Sequence, residues 1–155
     1  MDKFVWIPYG KHFADLFAQS NDTNIAILQN NLATVLQHLG DYEHAKNYFL
    51  QAIDIQTQHF GAQHPTLAIL YSNLATVLQD LGDYEQAKDY LLQAIALQTQ
   101  HFGTQHPTLA AAYSNLANVL QHLGNYEQAK DYLLQAIAID TATYRDWETD
   151  RKSVV

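Results

Sequence analysis

Asn31, Asn73 and Asn115 stand 42 residues apart, and polar, uncharged companions repeat with them. Asn30, Ser72 and Ser114 precede them; Thr34, Thr76 and Asn118 follow three residues later, then Gln37, Gln79 and Gln121. The chemistry open to this set is hydrogen bonding. A carboxamide places two donors and an acceptor on one short side chain, which suits the backbone of an extended peptide. Histidines form a second set. His38, Asp80 and His122 occupy one repeat position. Stacked above one another they would pair more strongly as pH falls toward about 6, or hold a divalent cation weakly; three solvated side chains is the simpler reading. His59 with His64, and His101 with His106, recur at a spacing that a metal site would permit.

Catalytic constellations are absent from the sequence. There is no HExxH pair, no phosphate-cradling glycine loop and no GxSxG elbow. Cysteine is missing, which excludes disulfides and thiolate metal sites. The expectation is a chain with no enzymatic role, no cofactor and no resident metal.

What positions these residues is an internal repeat. Leu32–Asn73 and Leu74–Asn115 agree at 33 of 42 positions, and a third copy begins at Leu116 and decays after Ile139. Periods of this size mark stacked helical solenoids. Each unit divides into two helices. In the second unit Leu67, Leu70, Tyr71, Leu74, Ala75, Val77, Leu78 and Leu81 recur at spacings of three and four, which predicts a first helix over about 66–81. Gly82 ends it as a left-handed cap, and Asp83 is placed to cap the next helix. That second helix is expected over about 84–101, with Ala87 and Ala94 small where two helices approach closely. His-Pro-Thr, at His64–Thr66 and His106–Thr108, reopens the following first helix, with proline where its missing N–H costs little.

The string NLATVLQDLGDYEQAKDYLLQAIAL resembles the tetratricopeptide repeat (TPR), with Leu74, Ala75, Leu78, Gly82, Tyr84, Ala87, Leu91 and Ala94 on its signature positions. The usual unit is about 34 residues; the extra length and the HFGxQHP connection are similar to the longer units of kinesin light chain. The resemblance implies an all-α, right-handed superhelical solenoid of three helix-turn-helix repeats. The expected division is 23–64, 65–106 and 107–144 for the repeats, after an N-terminal helix or linker over 1–22. Residues 145–155 form a tail outside the repeat. Its final DRKSVV resembles the translation of a sequencing adapter, so the tail is expected to be an artefact that truncates a longer array. Gln29 replaces the aromatic found at Tyr71 and Tyr113, which makes repeat one an atypical end unit. A short helix, with Ile7, Phe13, Leu16 and Phe17 on one face, is expected over Trp6–Gln19 to cover its edge.

The resemblance also implies a role. The first helices of TPR units line the concave face, and Asn31, Asn73 and Asn115 match residues that hold peptide backbone in kinesin-light-chain-like grooves. Thr34, Thr76, Asn118, Gln37, Gln79 and Gln121 complete the expected peptide-binding set. TPR domains that clamp a C-terminal carboxylate use Lys or Arg there. Here Ile27, Ile69, Ala111 and the amides stand instead, which argues against such a clamp. His-Pro belongs to the long repeat pattern, so a capping or packing role for His64 and His106 is simpler than a metal site.

Charge narrows the partners. Net charge is −8, and between Gln19 and Asp140 three lysines face eleven carboxylates. An acidic array repels phosphate backbones, so no nucleic acid is expected. No run approaches the apolar length of a membrane span, the start of the chain lacks a signal-peptide core, and the expected address is the cytoplasm. The leading expectation is a module that binds a peptide or helical segment of a partner protein. The alternatives are a regulatory or sensor array of a larger bacterial signalling protein, and a self-associating scaffold. In the last, Tyr132, Leu133 and Ile137 on the final helix would support a weak homodimer.

Overall fold

The computed structural model describes residues 23–153, apart from the side chains of residues 23, 146, 149, 150, 152 and 153. The helix expected over Trp6–Gln19 lies outside the described residues. Six helices follow one another: α1 (Thr23–His38), α2 (Tyr42–Phe60), α3 (Thr66–Asp80), α4 (Tyr84–Phe102), α5 (Thr108–His122) and α6 (Tyr126–Ser153). They form three hairpins, α1/α2, α3/α4 and α5/α6. Each hairpin packs on the next through its second helix, α2 against α3 and α4 against α5. The described residues contain no strand.

The repeat explains the packing. Ala33, Ala75 and Ala117 on the first helices are completely buried, as are Ala45 and Ala87 on the second helices. Small residues let the helix axes close up to the usual 8–10 Å or so. Leu74, Leu78, Leu91 and Leu116 fill the layers between them, each contributing about 1.5–3 kcal/mol by leaving water. Tyr71 lies against Tyr90 with ring centres 5.6 Å apart, and Tyr113 against Tyr132 at 5.5 Å. Gln29 takes the place of that aromatic in repeat one. It is buried, donates Nε2–H to Gln51 Oε1 at 2.8 Å, and leaves its own Oε1 buried without a partner.

The turns follow the sequence signals, with one exception. Gly82 adopts φ +83°, its N–H donates to Gln79 O, and the Asp83 N–H reaches back to Leu78 O at 2.8 Å. This is the left-handed helix end that the spacing predicts. The capping role expected of Asp83 is not what its carboxylate does. Asp83 stands at the N-cap but makes no side-chain bond to the helix backbone; its Oδ2 accepts from Gln86 Nε2 at 3.2 Å instead. A long amide side chain three residues on competes successfully for the same oxygen. With no glycine to stop it, α6 runs on past Tyr144 to Ser153. Tyr144 packs beside Trp147, and the Arg151 guanidinium lies 5.4 Å above the Trp147 ring, a cation–π arrangement.

Candidate functional site

The polar set lies on the surface of the three first helices. Asn31, Thr76, Asn115, Asn118 and Gln121 are exposed, while Thr34, Gln37, Asn73 and Gln79 are half-buried. Helical arithmetic accounts for this. Ile69, Asn73, Thr76 and Asp80 are four, three and four residues apart, which puts them in one stripe along α3, opposite the Leu74–Leu78 face that enters the core.

Two bonds tie neighbouring stripes together. Asn73 Nδ2–H donates to Asn30 Oδ1 at 3.1 Å, and Gln37 Nε2–H donates to Asp80 Oδ2 at 2.9 Å. Both join α1 to α3, so the rungs of repeats one and two are in register. The other bonds set what each rung can offer. Thr34 Oγ1–H donates to Asn30 O at 2.9 Å and Thr76 Oγ1–H to Ser72 O at 3.1 Å. These hydroxyl hydrogens are taken by the helix, which leaves the threonines as acceptors. Asn73 uses one amide hydrogen on Asn30 and retains a second hydrogen and its carbonyl. Asn30, a flanking residue in the sequence pattern, is thus part of the rung itself.

The histidines are placed differently from the stacked arrangement. Asp80 accepts from Gln37, and the His122 ring lies flat on Tyr84, centroids 4.4 Å apart and 7° from parallel. A His38–Asp80–His122 column is therefore not formed; Gln37 and Tyr84 reach the Asp80 and His122 side chains first. His64 and His106 cap and pack. Their Nδ1 atoms accept from the backbone N–H of Thr66 and Thr108, both at 3.4 Å, and lie 2.7 and 2.9 Å from the same threonines' hydroxyls. Their rings rest on Phe60 and Phe102, at 4.5 and 4.9 Å. His101 Nε2–H donates to Gln63 O at 2.7 Å and so ties the first turn to the end of α4. Among the described residues no three His, Asp or Glu side chains converge as metal ligands.

Basic charge stays away from the stripe. α1, α3 and α5 carry no Lys or Arg, and Asp80 is their one carboxylate. Lys88 pairs with Glu85, and Lys130 with Glu127, on the second helices; the bond to Glu85 raises the Lys88 pKa above its ordinary value.

Two apolar pockets open beside the stripe, and sequence reasoning missed them. The first, about 310 Å³, lies between Ile27, Asn30, Phe60, His64 and Ile69. The second, about 300 Å³, lies between Ala68, Ile69, Phe102, His106 and Thr108. Six residues of the second repeat positions in the first: Ala68 matches Ala26, Ile69 matches Ile27, Gln98 matches Gln56, Phe102 matches Phe60, His106 matches His64, and Thr108 matches Thr66. The available signal was Ile27 and Ile69 interrupting an otherwise polar stripe, and a phenylalanine before Gly61 and before Gly103.

The tetratricopeptide repeat pattern matches residues 24–100 and again 66–142. No curated protein matches the chain. Among solved structures, the chain is similar to BtubC (BKLC) from P. vanneervenii, with 23% identity and a TM-score of 0.79 over 88% of this chain and 56% of that one. It is similar also to a putative kinesin light chain with nearly identical TPR-like repeats from Podosopora anserina, with 26% identity and a TM-score of 0.75 over 88% of this chain and 66% of that one. The TPR domain of Arabidopsis FLU shares 21% identity and a TM-score of 0.64, over 73% of this chain and 92% of that domain. The chain spans less than two thirds of the length of the first two. Among the described residues no helix is long and apolar enough to cross a membrane. The two overlapping pattern matches and the three stacked hairpins lead to one conclusion: this chain belongs to the tetratricopeptide repeat family, and within it is similar to kinesin-light-chain-like repeat structures.

Proposed function

We propose that the chain is a protein-interaction module with no catalytic role of its own. It holds an extended segment of a partner protein along the inner curve of the stack, on the rungs Asn31, Asn73 and Asn115, with Thr34, Thr76, Asn118, Gln37, Gln79 and Gln121 alongside. The observation that carries this reading is the in-register rung Asn30–Asn73, which joins two repeats into one continuous polar surface without cations. TPR repeats in general bind other proteins, and neither a nucleic acid nor a membrane suits a surface without cations.

Magnitudes limit the affinity. A net hydrogen bond contributes about 0.5–1.5 kcal/mol, so three rungs with two bonds each give roughly 3–9 kcal/mol. Association costs about 4–15 kcal/mol. The rungs orient a peptide, apolar side chains must hold it, and micromolar affinity is expected. The test is alanine at Asn73 and Asn115 together, measured against peptides selected from a random display library. Binding weakens while helicity by circular dichroism is unchanged; undiminished binding removes the rungs from the mechanism.

A specific observation favours a second reading, weak self-association through α6. Ile137 is 60% exposed and Tyr126 68%, whereas the equivalent Ile95 and Tyr84 are half-buried against the core. Light scattering across a dilution series separates monomer from dimer.

A further inference from the structure

The two pockets bear on which peptide the stripe accepts, an inference that rests on the groove reading above. They stand one repeat apart and share Ile69 as the ridge between them. Ile27, Ile69, Phe60 and Phe102 are 55, 62, 46 and 52% exposed. Single exposed apolar residues are ordinary on a protein surface. Here they line concave pockets in equivalent places, flanked by an amide rung, and at about 300 Å³ each pocket is at the small end for a ligand site. That is room for one large aliphatic side chain in each. In repeat three Ala111, Tyr144 and Glu148 stand where the isoleucine, phenylalanine and histidine of this lining would fall.

The spacing selects the conformation of the occupant. The two pockets flank the single side chain of Ile69, and packed helices in such a stack stand about 8–10 Å apart, which is the separation that one repeat step gives the pockets. A polyproline II segment has three residues per turn and rises about 3.1 Å per residue, which brings side chains i and i+3 to the same side about 9 Å apart. A β-strand repeats its face at about 7 Å and again at about 13 Å, and misses. An α-helix has no free backbone groups for the amides along its length. The charge selects the flanks. With no cation on α1, α3 or α5 and a net charge of −8, acidic flanks are repelled and basic flanks attracted.

We infer that the groove recognises an extended, polyproline-II-like segment with two large aliphatic side chains three residues apart, seated on either side of Ile69, between basic flanks. The probe is the capped decapeptide KKSLSPLSKK, titrated into the ¹⁵N-labelled chain. Comparison peptides have the second leucine moved one residue either way, or all four lysines replaced by glutamate. The i, i+3 peptide binds most tightly; moving the leucine costs about tenfold or more; glutamate flanks weaken binding further at low salt. Amide shifts centre on Ile69, Phe102 and His106, and Ile69→Ser, at an exposed site, weakens the i, i+3 peptide about tenfold without changing helicity. Equal affinity for all spacings, with shifts still running along Asn31, Asn73 and Asn115, overturns the inference and leaves the groove reading standing. Absence of shifts on both the pockets and the rungs overturns both.

Discussion

Gln29→Tyr should stabilise this protein, against the usual direction of core substitutions. Gln29 is buried with its Oε1 unpartnered, while its amide donates to Gln51. An unsatisfied buried acceptor costs about 1–3 kcal/mol, and loss of the Gln51 bond removes about 1 kcal/mol of stability, since Gln51 is exposed and recovers water. Tyrosine at this position has two precedents in the molecule. Tyr71 and Tyr113 occupy the equivalent site, pack on Tyr90 and Tyr132, and are each 8% exposed. Repeat one retains the matching partner, Tyr48. Such a ring pair adds about 0.5–1.5 kcal/mol beyond burial. The net gain is about 1–3 kcal/mol. Repeat arrays open locally from their ends, so the assay is hydrogen exchange of the α1 amides. Exchange should slow by about 5- to 100-fold. Unchanged or faster exchange refutes the reasoning, because the site would then have no uncompensated oxygen to relieve. Firmer packing also fixes Asn30, the next residue, and with it the rung to Asn73.

Gly82→Ala isolates backbone strain. Nothing lies within 4 Å of an added Cβ and φ is +83°, so the loss of about 1–2 kcal/mol comes from the left-handed conformation alone; a shifted denaturant midpoint at constant slope checks it. Tyr71 gives an alkaline signature. Burial, and then neighbouring Tyr90, raise its pKa above 10.0, so the unfolded chain releases this proton first. Its contribution is complete below pH about 10 and is lost as pH climbs through the higher folded value. Urea unfolding across that range should show a falling limb that Tyr71→Phe flattens.

Much of the fold was legible because the sequence states it three times. The Gly–Asp and Gly–Asn turns, the buried alanines and the start of α4 at Tyr84 are local signals, and local rules read them. Features that depend on neighbours were harder. Asp83 has the right type and place for a cap, yet a glutamine one turn away takes its oxygen. His38, Asp80 and His122 share a repeat position, but Gln37 and Tyr84 are better placed to meet them. The continuation of α6 to Ser153 follows from the absence of any breaker, which a repeat template hides. The site was half legible. The amide rungs show as a period in polar residues. The pockets need a first helix, the end of a second helix and a turn brought together, and no stretch of sequence displays that.

The central claim is that the polar, cation-free stripe on α1, α3 and α5 takes a peptide. The direct measurement is amide chemical-shift mapping with peptides selected from a random display library. The account predicts saturable shifts at Asn31, Asn73 and Asn115 and their neighbours, with a Kd in the micromolar range. Shifts confined to the exposed residues of α2 and α4, or a library that yields no binder, would contradict it.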